Sequence, residues 1–271
     1  MRIFKAKQKE ITLDRTIVMG ILNVTPDSFS DGGKHFDAGT AVAHAKLMTE
    51  QGADIIDIGG QSTRPGYTKI SAQEEWERIE PVLKALAGED MIISVDTFYP
   101  EVAAKAAALG ADIINDVTGF SSGDMIKAAK GSGAGCIVMH SEDITQCEDA
   151  VEAVFDYLKR KTEEMVGVGI SPEAICIDPG IGFGKTYEQN LVLLKSFERL
   201  NQLGFASMSA ASRKRVIGMP CGNPPFEERD GATIAAHTVS IFTGADMIRV
   251  HDVKNAVYAA RVADAIISTG V

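Results

Sequence analysis

Eight short apolar runs in the chain each end in polar side chains: Asn23, Asp57, Asp96, Asn115 with Asp116, His140, Asp178, the triplet Ser212-Arg213-Lys214, and Arg249 with His251 and Asp252. A carboxylate can accept two N–H bonds at once, an amide can pair a mixed donor and acceptor edge, and Arg, Lys and His hold anions. Ionisable groups bordering apolar sequence are costly to bury unless they are paired or engaged by a ligand. The set therefore points to a polar, partly anionic small molecule. Two stretches after the first two runs, VTPDSFSDGGKHFD (24–37) and GGQSTRPGYTKI (59–70), are long and rich in Gly, Ser, Pro and Asp. With Phe29 in one and Arg64-Pro65 in the other, they read as flexible lids over such a site.

The runs that must position these groups are IVMGILN (17–23), DIIDIGG (54–60), IISVDT (92–97), IINDV (113–117), CIVMH (136–140), AICIDPG (174–180), FASMSAAS (205–212) and MIRVHD (247–252). Each is followed by helix-like sequence. Apolar residues recur at Ala38, Ala41, Val42, Ala45 and Met48, and again at Ala72, Trp76, Ile79, Leu83 and Leu86, which places them on one helical face. Ser71 with Glu74 predicts a capping box, Pro100 fits a first helical turn, and Pro81 predicts a kink. Three segments resemble one another, QGADIIDIGG (51–60), LGADIINDV (109–117) and TGADMIRVHDV (243–253), with GAGCIVMH a looser fourth. In each, a Gly suited to a helix C′ cap leads directly into a buried strand. Eight such pairs give about 34 residues per unit, close to a minimal βα unit. The expectation is one single-domain (β/α)8 TIM barrel over 1–271, with long loops after strands 1 and 2. No G-x-G-x-x-G follows the first run, which disfavours a doubly wound dinucleotide-binding sheet. In a barrel the polar strand ends share one catalytic rim.

Composition narrows the class. With 45% hydrophobic and 24% charged residues the chain is globular, and its net charge of −10, from 27 basic and 37 acidic residues, argues against nucleic-acid binding. No apolar stretch approaches the ~18 residues of a membrane span, and MRIFKAKQKE has no signal-peptide core, so a cytoplasmic protein without membrane partners is expected. Cys136, Cys147, Cys176 and Cys221 are far apart and read as reduced packing residues. His44 and His237 read as ordinary helix residues, Trp76 as core, and Glu74, Glu75, Glu77 and Glu80 as a solvated helix face.

The ordered motifs GILNVTPDSFSDGG, GGQSTRPG, SVDT, INDV, DPGIGFGKT, SRK and RVHDV resemble the dihydropteroate synthases from about Ile17 to the C-terminus. The resemblance implies a transferase that condenses 6-hydroxymethyl-7,8-dihydropterin diphosphate with 4-aminobenzoate, releasing diphosphate, with Mg²⁺ as cofactor and a homodimer as the assembly. It implies a pterin site of Asp96, Asn115, Met139, Asp178, Phe183 and Lys214, and a diphosphate site of Asn23, Thr63, Arg64, Arg249 and His251. Asn23 would also meet the metal. For 4-aminobenzoate it implies Phe29, Thr63, Pro65, Ser212, Lys214 and Arg215, and for catalysis Asp96, Lys214, Arg249 and His251. Three departures stand out: MHSEDITQCED where the family reads M-H-M-x-G, Gln61 for an acid before S-T-R-P, and Arg215 where many members have Ser. Two competing readings are a non-catalytic pterin-binding paralogue and a methyltetrahydrofolate-dependent corrinoid methyltransferase, although the latter lacks the two lid motifs and S-R-K.

Overall fold

The computed structural model describes residues 2–25, 38–61 and 68–269. Eight parallel strands close into a barrel: β3 (Ile17–Asn23), β4 (Ile55–Gly59), β5 (Ile92–Asp96), β6 (Ile113–Asp116), β7 (Gly135–Met139), β8 (Ile175–Asp178), β9 (Ala206–Ser209) and β10 (Met247–Val250). Seven lie within the predicted runs, and β7 begins one residue early. Helices α1 (Ala38–Glu50), α2 (Ala72–Leu86), α3 (Pro100–Ala108), α4 (Gly123–Ser132) and α5 (Ala150–Gly167) follow the first five barrel strands. The sixth and seventh strands are each followed by two helices, α6 (Tyr187–Leu194) with α7 (Phe197–Leu200) and α8 (Arg215–Gly218) with α9 (Asp230–Phe242), and α10 (Val253–Ser268) follows the last. Strands covered by helices outside and side chains inside are buried on both faces, which is why their sequences are nearly continuous apolar runs.

Successive inward positions change character along each strand. A cluster at one end of the barrel contains Ile17, Met19, Ile55, Ile113, Ile137, Cys176, Met208 and Met247. Side chains two residues further on face the same way, and there stand Asp57, Asn115, Met139, Asp178 and Arg249. The apolar floor is sealed by a feature the sequence reading did not anticipate, an antiparallel hairpin of β1 (Ile3–Ala6) and β2 (Lys9–Thr12). Its Phe4, Ala6 and Ile11 belong to the floor cluster.

The repeated G-A-D segments acquire a physical meaning at this floor. Asp54, Asp112 and Asp246 each accept a backbone N–H from the start of the preceding strand: Val18 at 2.9 Å, Ile93 at 3.0 Å and Ser207 at 2.9 Å. Each also pairs with a cation from the N-terminal segment, namely Arg15 at 2.6 Å, Lys9 at 2.9 Å and Arg2 at 2.7 Å. The looser fourth copy has Gly135 where the others have Asp. A Cβ there would lie 2.8 Å from the Lys5 carbonyl oxygen and 2.9 Å from the Phe4 ring, so the hairpin occupies the space a side chain would need.

Several local expectations are corrected. Ser71 caps α2 by accepting from Glu74 N at 3.1 Å, but the Glu74 side chain turns to Arg78, so only half the box forms. Pro81 lies inside α2, which continues past it to Leu86. Cys136 and Cys176 are buried as expected of packing residues, whereas Cys147 and Cys221 are exposed; all four are free thiols. Glu75 is not on a solvated face: it is 1% exposed and accepts from Thr97 Oγ1 at 2.5 Å. His237 is buried too.

Burial pushes the Glu75 carboxyl up to about 7, with the Thr97 hydroxyl and Arg78 opposing. The folded state then binds its proton more tightly than the unfolded chain. Its contribution to stability is full below pH ~4.5 and is lost as pH rises through ~7. Glu75→Gln keeps an oxygen for Thr97 without the charge. Denaturant unfolding should show the variant gaining up to about 3 kcal/mol over the parent at pH 8 and little at pH 4; parallel stability curves across that range would contradict it.

Candidate active site

At the polar end of the barrel, one guanidinium serves two acids. Arg249 on β10 donates from Nε to Asp57 Oδ2 at 2.6 Å and from Nη2 to Asp96 Oδ2 at 2.7 Å, bridging across to β4 and β5. Asn115 on β6 donates from Nδ2 to the same Asp57 oxygen at 3.0 Å. That bond fixes the amide orientation and leaves Asn115 Oδ1 as an acceptor for something else. All three acidic and amide groups are buried, and two carboxylates share a single positive charge. Burial, opposed by Arg249 and reinforced by Asp57, pushes Asp96 up to about 7. Burial works against the Arg249 charge, yet Asp57 and Asp96 hold its pKa above the ordinary value. Asp57 was noted in the sequence only as a strand end; here it organises two of the predicted site residues.

Across the mouth, Asp178 ends β8, buried, and its Oδ1 accepts from Gly180 N at 2.8 Å. Burial raises its pKa while Lys214 pulls it down. Lys214 donates to the Ile181 carbonyl at 2.5 Å and lies 4.6 Å from the Phe183 ring centroid. Its ammonium is lowered to about 8 by burial, with Asp178 in opposition. Phe183 is half-buried and Met139 buried at the end of β7. The intervening turn needs glycine at position 180, where φ is +69° and a Cβ would sit 2.1 Å from the His140 carbonyl oxygen. The altered MHSED loop is fastened to this turn, since Ile144 N donates to Gly184 O at 2.8 Å and Gln189 Nε2 to the Ile144 and Cys147 carbonyls.

The S-R-K triplet is shaped from behind. Arg213 has a left-handed φ of 56° and is held by Asp230 through two bonds of 2.6 Å, while its N–H donates to Thr233 Oγ1 at 2.9 Å. His237 Nε2 accepts from Ala211 N at 3.1 Å, so a histidine read as an ordinary helix residue supports this loop. Burial lowers its pKa to about 3, keeping it neutral. Ser212 Oγ lies 2.9 Å from His251 Nδ1 and accepts from His251 N at 3.1 Å. Arg215, at the first position of α8, is exposed. Asn23 ends β3 at the same mouth, half-buried. Gln61 is buried at the foot of the second long loop, its Oε1 accepting from Ile70 N at 2.7 Å. Phe29, Thr63, Arg64 and Pro65 lie outside the described residues.

The structure thus joins Asp96, Asn115 and Arg249 in one network, Asp178, Lys214 and Phe183 in a second, and Ser212 with His251 in a third. The first two feel each other's charge, Arg249 acting on Asp178 and Asp96 on Lys214. The arrangement offers acceptors, donors, an aromatic ring and a thioether around one mouth, which suits a flat, nitrogen-rich ring carrying an anionic group.

Comparison with known proteins agrees with this chemistry. The model of the pterin binding enzyme family matches residues 19–251. A dihydropteroate synthase of Clostridium beijerinckii is 44% identical over 267 residues, spanning 97% of this chain and 99% of the relative. Among solved structures, the Xanthomonas albilineans dihydropteroate synthase with 4-aminobenzoic acid superposes with a TM-score of 0.93 at 40% identity, covering 99% of this chain and 98% of that one. The same enzyme in complex with 7,8-dihydropteroate gives 0.90 at 38% identity, covering 99% of each chain. Matched in sequence and in fold over almost its entire length, this chain belongs to the dihydropteroate synthase family of pterin-binding transferases.

Proposed function

We infer that the chain condenses 6-hydroxymethyl-7,8-dihydropterin diphosphate with 4-aminobenzoate, the dihydropteroate synthase reaction of its family, and that the residues at the barrel mouth divide the work as follows. Asp178 accepts N–H bonds from the pterin edge, Asn115 pairs the mixed edge through its open Oδ1, and Lys214 donates to the ring carbonyl and adjacent nitrogen. Met139 and Phe183 pack on the ring faces. Asp96 faces the N–H of the reduced ring. The diphosphate takes Arg249 and His251, with Asn23, Thr63 and Arg64 completing its site. The observation that carries this reading is the pair Asp178 and Asn115: both are buried at strand ends, and each retains an acceptor oxygen, Oδ2 and Oδ1, without a hydrogen bond among the described residues.

The C–O bond to diphosphate breaks first, the electron pair leaving with the diphosphate, and the resulting cation spreads into the electron-rich dihydropterin. The arylamine lone pair then forms the C–N bond and the amine sheds a proton. Arg249 and His251 stabilise the departing charge, and Asp96 favours the cation. The donor chemistry suits Mg²⁺ in one respect: Asn23, half-buried at the mouth, offers a neutral oxygen of the kind a hard cation takes. Mg²⁺ takes few protein ligands and keeps its shell with phosphate and water, so Asn23 would hold it together with the diphosphate. When bound, the ion neutralises charge on the leaving group.

Phe29, Thr63, Pro65, Ser212, Lys214 and Arg215 are assigned to 4-aminobenzoate, with the exposed Arg215 guanidinium available to its carboxylate. The assembly we propose is a homodimer through α9 and α10, which pack on each other and leave Val239, Phe242, Tyr258, Val262 and Ile266 about half exposed. Four free thiols fit a reducing, cytoplasmic setting, and among the described residues no helix is long and apolar enough to cross a membrane.

Diphosphate release that requires 4-aminobenzoate and yields 7,8-dihydropteroate tests the reaction; binding without turnover would instead mark a non-catalytic pterin-binding protein. Asp178→Asn should fold normally and weaken pterin affinity by about 1–3 kcal/mol, because an amide cannot accept both N–H bonds; unchanged affinity by calorimetry would sink that assignment. Titrated alone, 4-aminobenzoate should bind weakly, and at least about tenfold more tightly once pterin, diphosphate and Mg²⁺ are present. Equal affinities in the two titrations would rule out a site completed by the first substrate. Val262→Lys should shift sedimentation from dimer to monomer, and an unaltered profile would place the interface elsewhere.

A further inference from the structure

The motif DPGIGFGKT supplies Asp178 and Phe183 to the site, but its lysine has no part in the chemistry above. Lys185 nevertheless has the most complete set of partners in the region. Its ammonium donates to the Phe183 carbonyl at 2.7 Å, to the Gly180 carbonyl at 3.0 Å and to His140 Nδ1 at 3.0 Å. An ammonium has three donors, and all three are used. Two bonds fold the turn after β8 back on itself, and the third crosses to the residue that follows β7.

We propose that Lys185 is a positioning residue for pterin recognition, tying the loops after β7 and β8 together so that Asp178 and Phe183 are presented in fixed relation. This rests on the reading of those two residues as pterin contacts. The tie reaches Asp178 through one residue: Gly180 O accepts from Lys185 while Gly180 N donates to Asp178 Oδ1 at 2.8 Å. It reaches Phe183 directly through that residue's carbonyl, and Phe183 N returns to Gly180 O at 3.1 Å. The β7 side is anchored as well, since His140 N donates to the Asp178 carbonyl at 2.9 Å.

The tie also dictates the state of His140. While Lys185 keeps its proton it has no lone pair, so Nδ1 accepts and the ring proton sits on Nε2, a buried nitrogen without a hydrogen-bond partner among the described residues. Burial, with Lys185 adding to it, lowers the His140 pKa to about 3, so the ring stays neutral. Burial draws Lys185 itself down to about 7, and Asp178 is the main charge that holds it up. The outer end of the same loop is secured without Lys185. Gly182 N donates to Asn190 Oδ1 at 2.6 Å, Gly184 O accepts from Ile144 N, and Thr186 with Gln189 forms a complete capping box on α6. Loss of the lysine should loosen residues 180–183 and leave the barrel standing.

The test compares Lys185→Met and Asp178→Asn with the parent. Lys185→Met should retain its melting temperature to within a few degrees, weaken pterin binding about tenfold or more, raise KM for the dihydropterin diphosphate in parallel, and leave KM for 4-aminobenzoate within about twofold. In ¹⁵N-histidine spectra, parental His140 should carry its proton on Nε2 with an acceptor Nδ1, and the Nδ1 resonance should move in the variant. Weakened pterin binding in Asp178→Asn with none in Lys185→Met overturns the positioning role. Unchanged binding in both overturns the pterin-site reading on which it rests. If Lys185→Met does not fold, the parental spectrum recorded at pH ~5, where Lys185 is charged and His140 still neutral, decides: a proton on His140 Nδ1 refutes the tie, and a proton on Nε2 with Nδ1 accepting supports it.

Discussion

One guanidinium held between two buried carboxylates, Arg249 with Asp57 and Asp96, sets the terms for everything else at the barrel mouth. Charges this deep must be compensated by neighbours with good geometry, and removing one partner strands the others. Asn115 donates to the same Asp57 oxygen as Arg249, which orients its amide, while Asp57 Oδ1 is buried without a hydrogen-bond partner among the described residues. Because two acids share one base, the cluster carries excess negative character once Asp96 is ionised, a step that burial pushes up to about 7. On the proposed reading, that suits a reaction passing through a pterin cation. On the same reading, an anionic leaving group must also be met by donors added around the cluster, such as His251 just beyond β10.

The two ends of the barrel solve different problems. At the floor, Asp54, Asp112 and Asp246 cap strand starts and draw in three cations from the N-terminal segment, while Phe4 fills the interior. Every charge there is committed to architecture. At the mouth, Asp178 Oδ2, Asn115 Oδ1 and the side chain of the half-buried Asn23 have no hydrogen-bond partner among the described residues. Separation of this kind lets loops at one end vary without disturbing the seal at the other, a general property of (β/α)8 barrels.

Much of this was legible in the chain. Buried parallel strands declare themselves as apolar runs, and a polar residue placed two positions beyond an interior Ile or Met, as with Ile55 and Asp57 or Met247 and Arg249, marks the change from floor to mouth. The remainder depended on contacts distant in sequence. Glu75 occupies a helix position that periodicity assigns to solvent, and only Thr97, 22 positions away, makes it a buried acid. His237 is placed by the Ala211 N–H, 26 positions away. The hairpin escaped because IFKA and KEIT are four-residue strands of mixed polarity, joined through Lys7 at a φ of 58° that no Gly or Asn announces. Lys185 stood inside a motif already noticed, but a flexible side chain gives no hint in sequence of which three acceptors it will find.

The pairing of β3 with β10 bears on how the chain is made. Strand β3 is made before the other seven barrel strands, and β4 covers one of its sides. Its other side waits for Met247–Val250, and Arg2 waits for Asp246, 244 positions downstream. A sheet built in chain order keeps that edge unpaired until β10 is made, and an unpaired edge of this kind invites mispairing or chaperone capture. The last barrel strand hides that edge, so burial of the first barrel strand on both sides reports that all eight are in place.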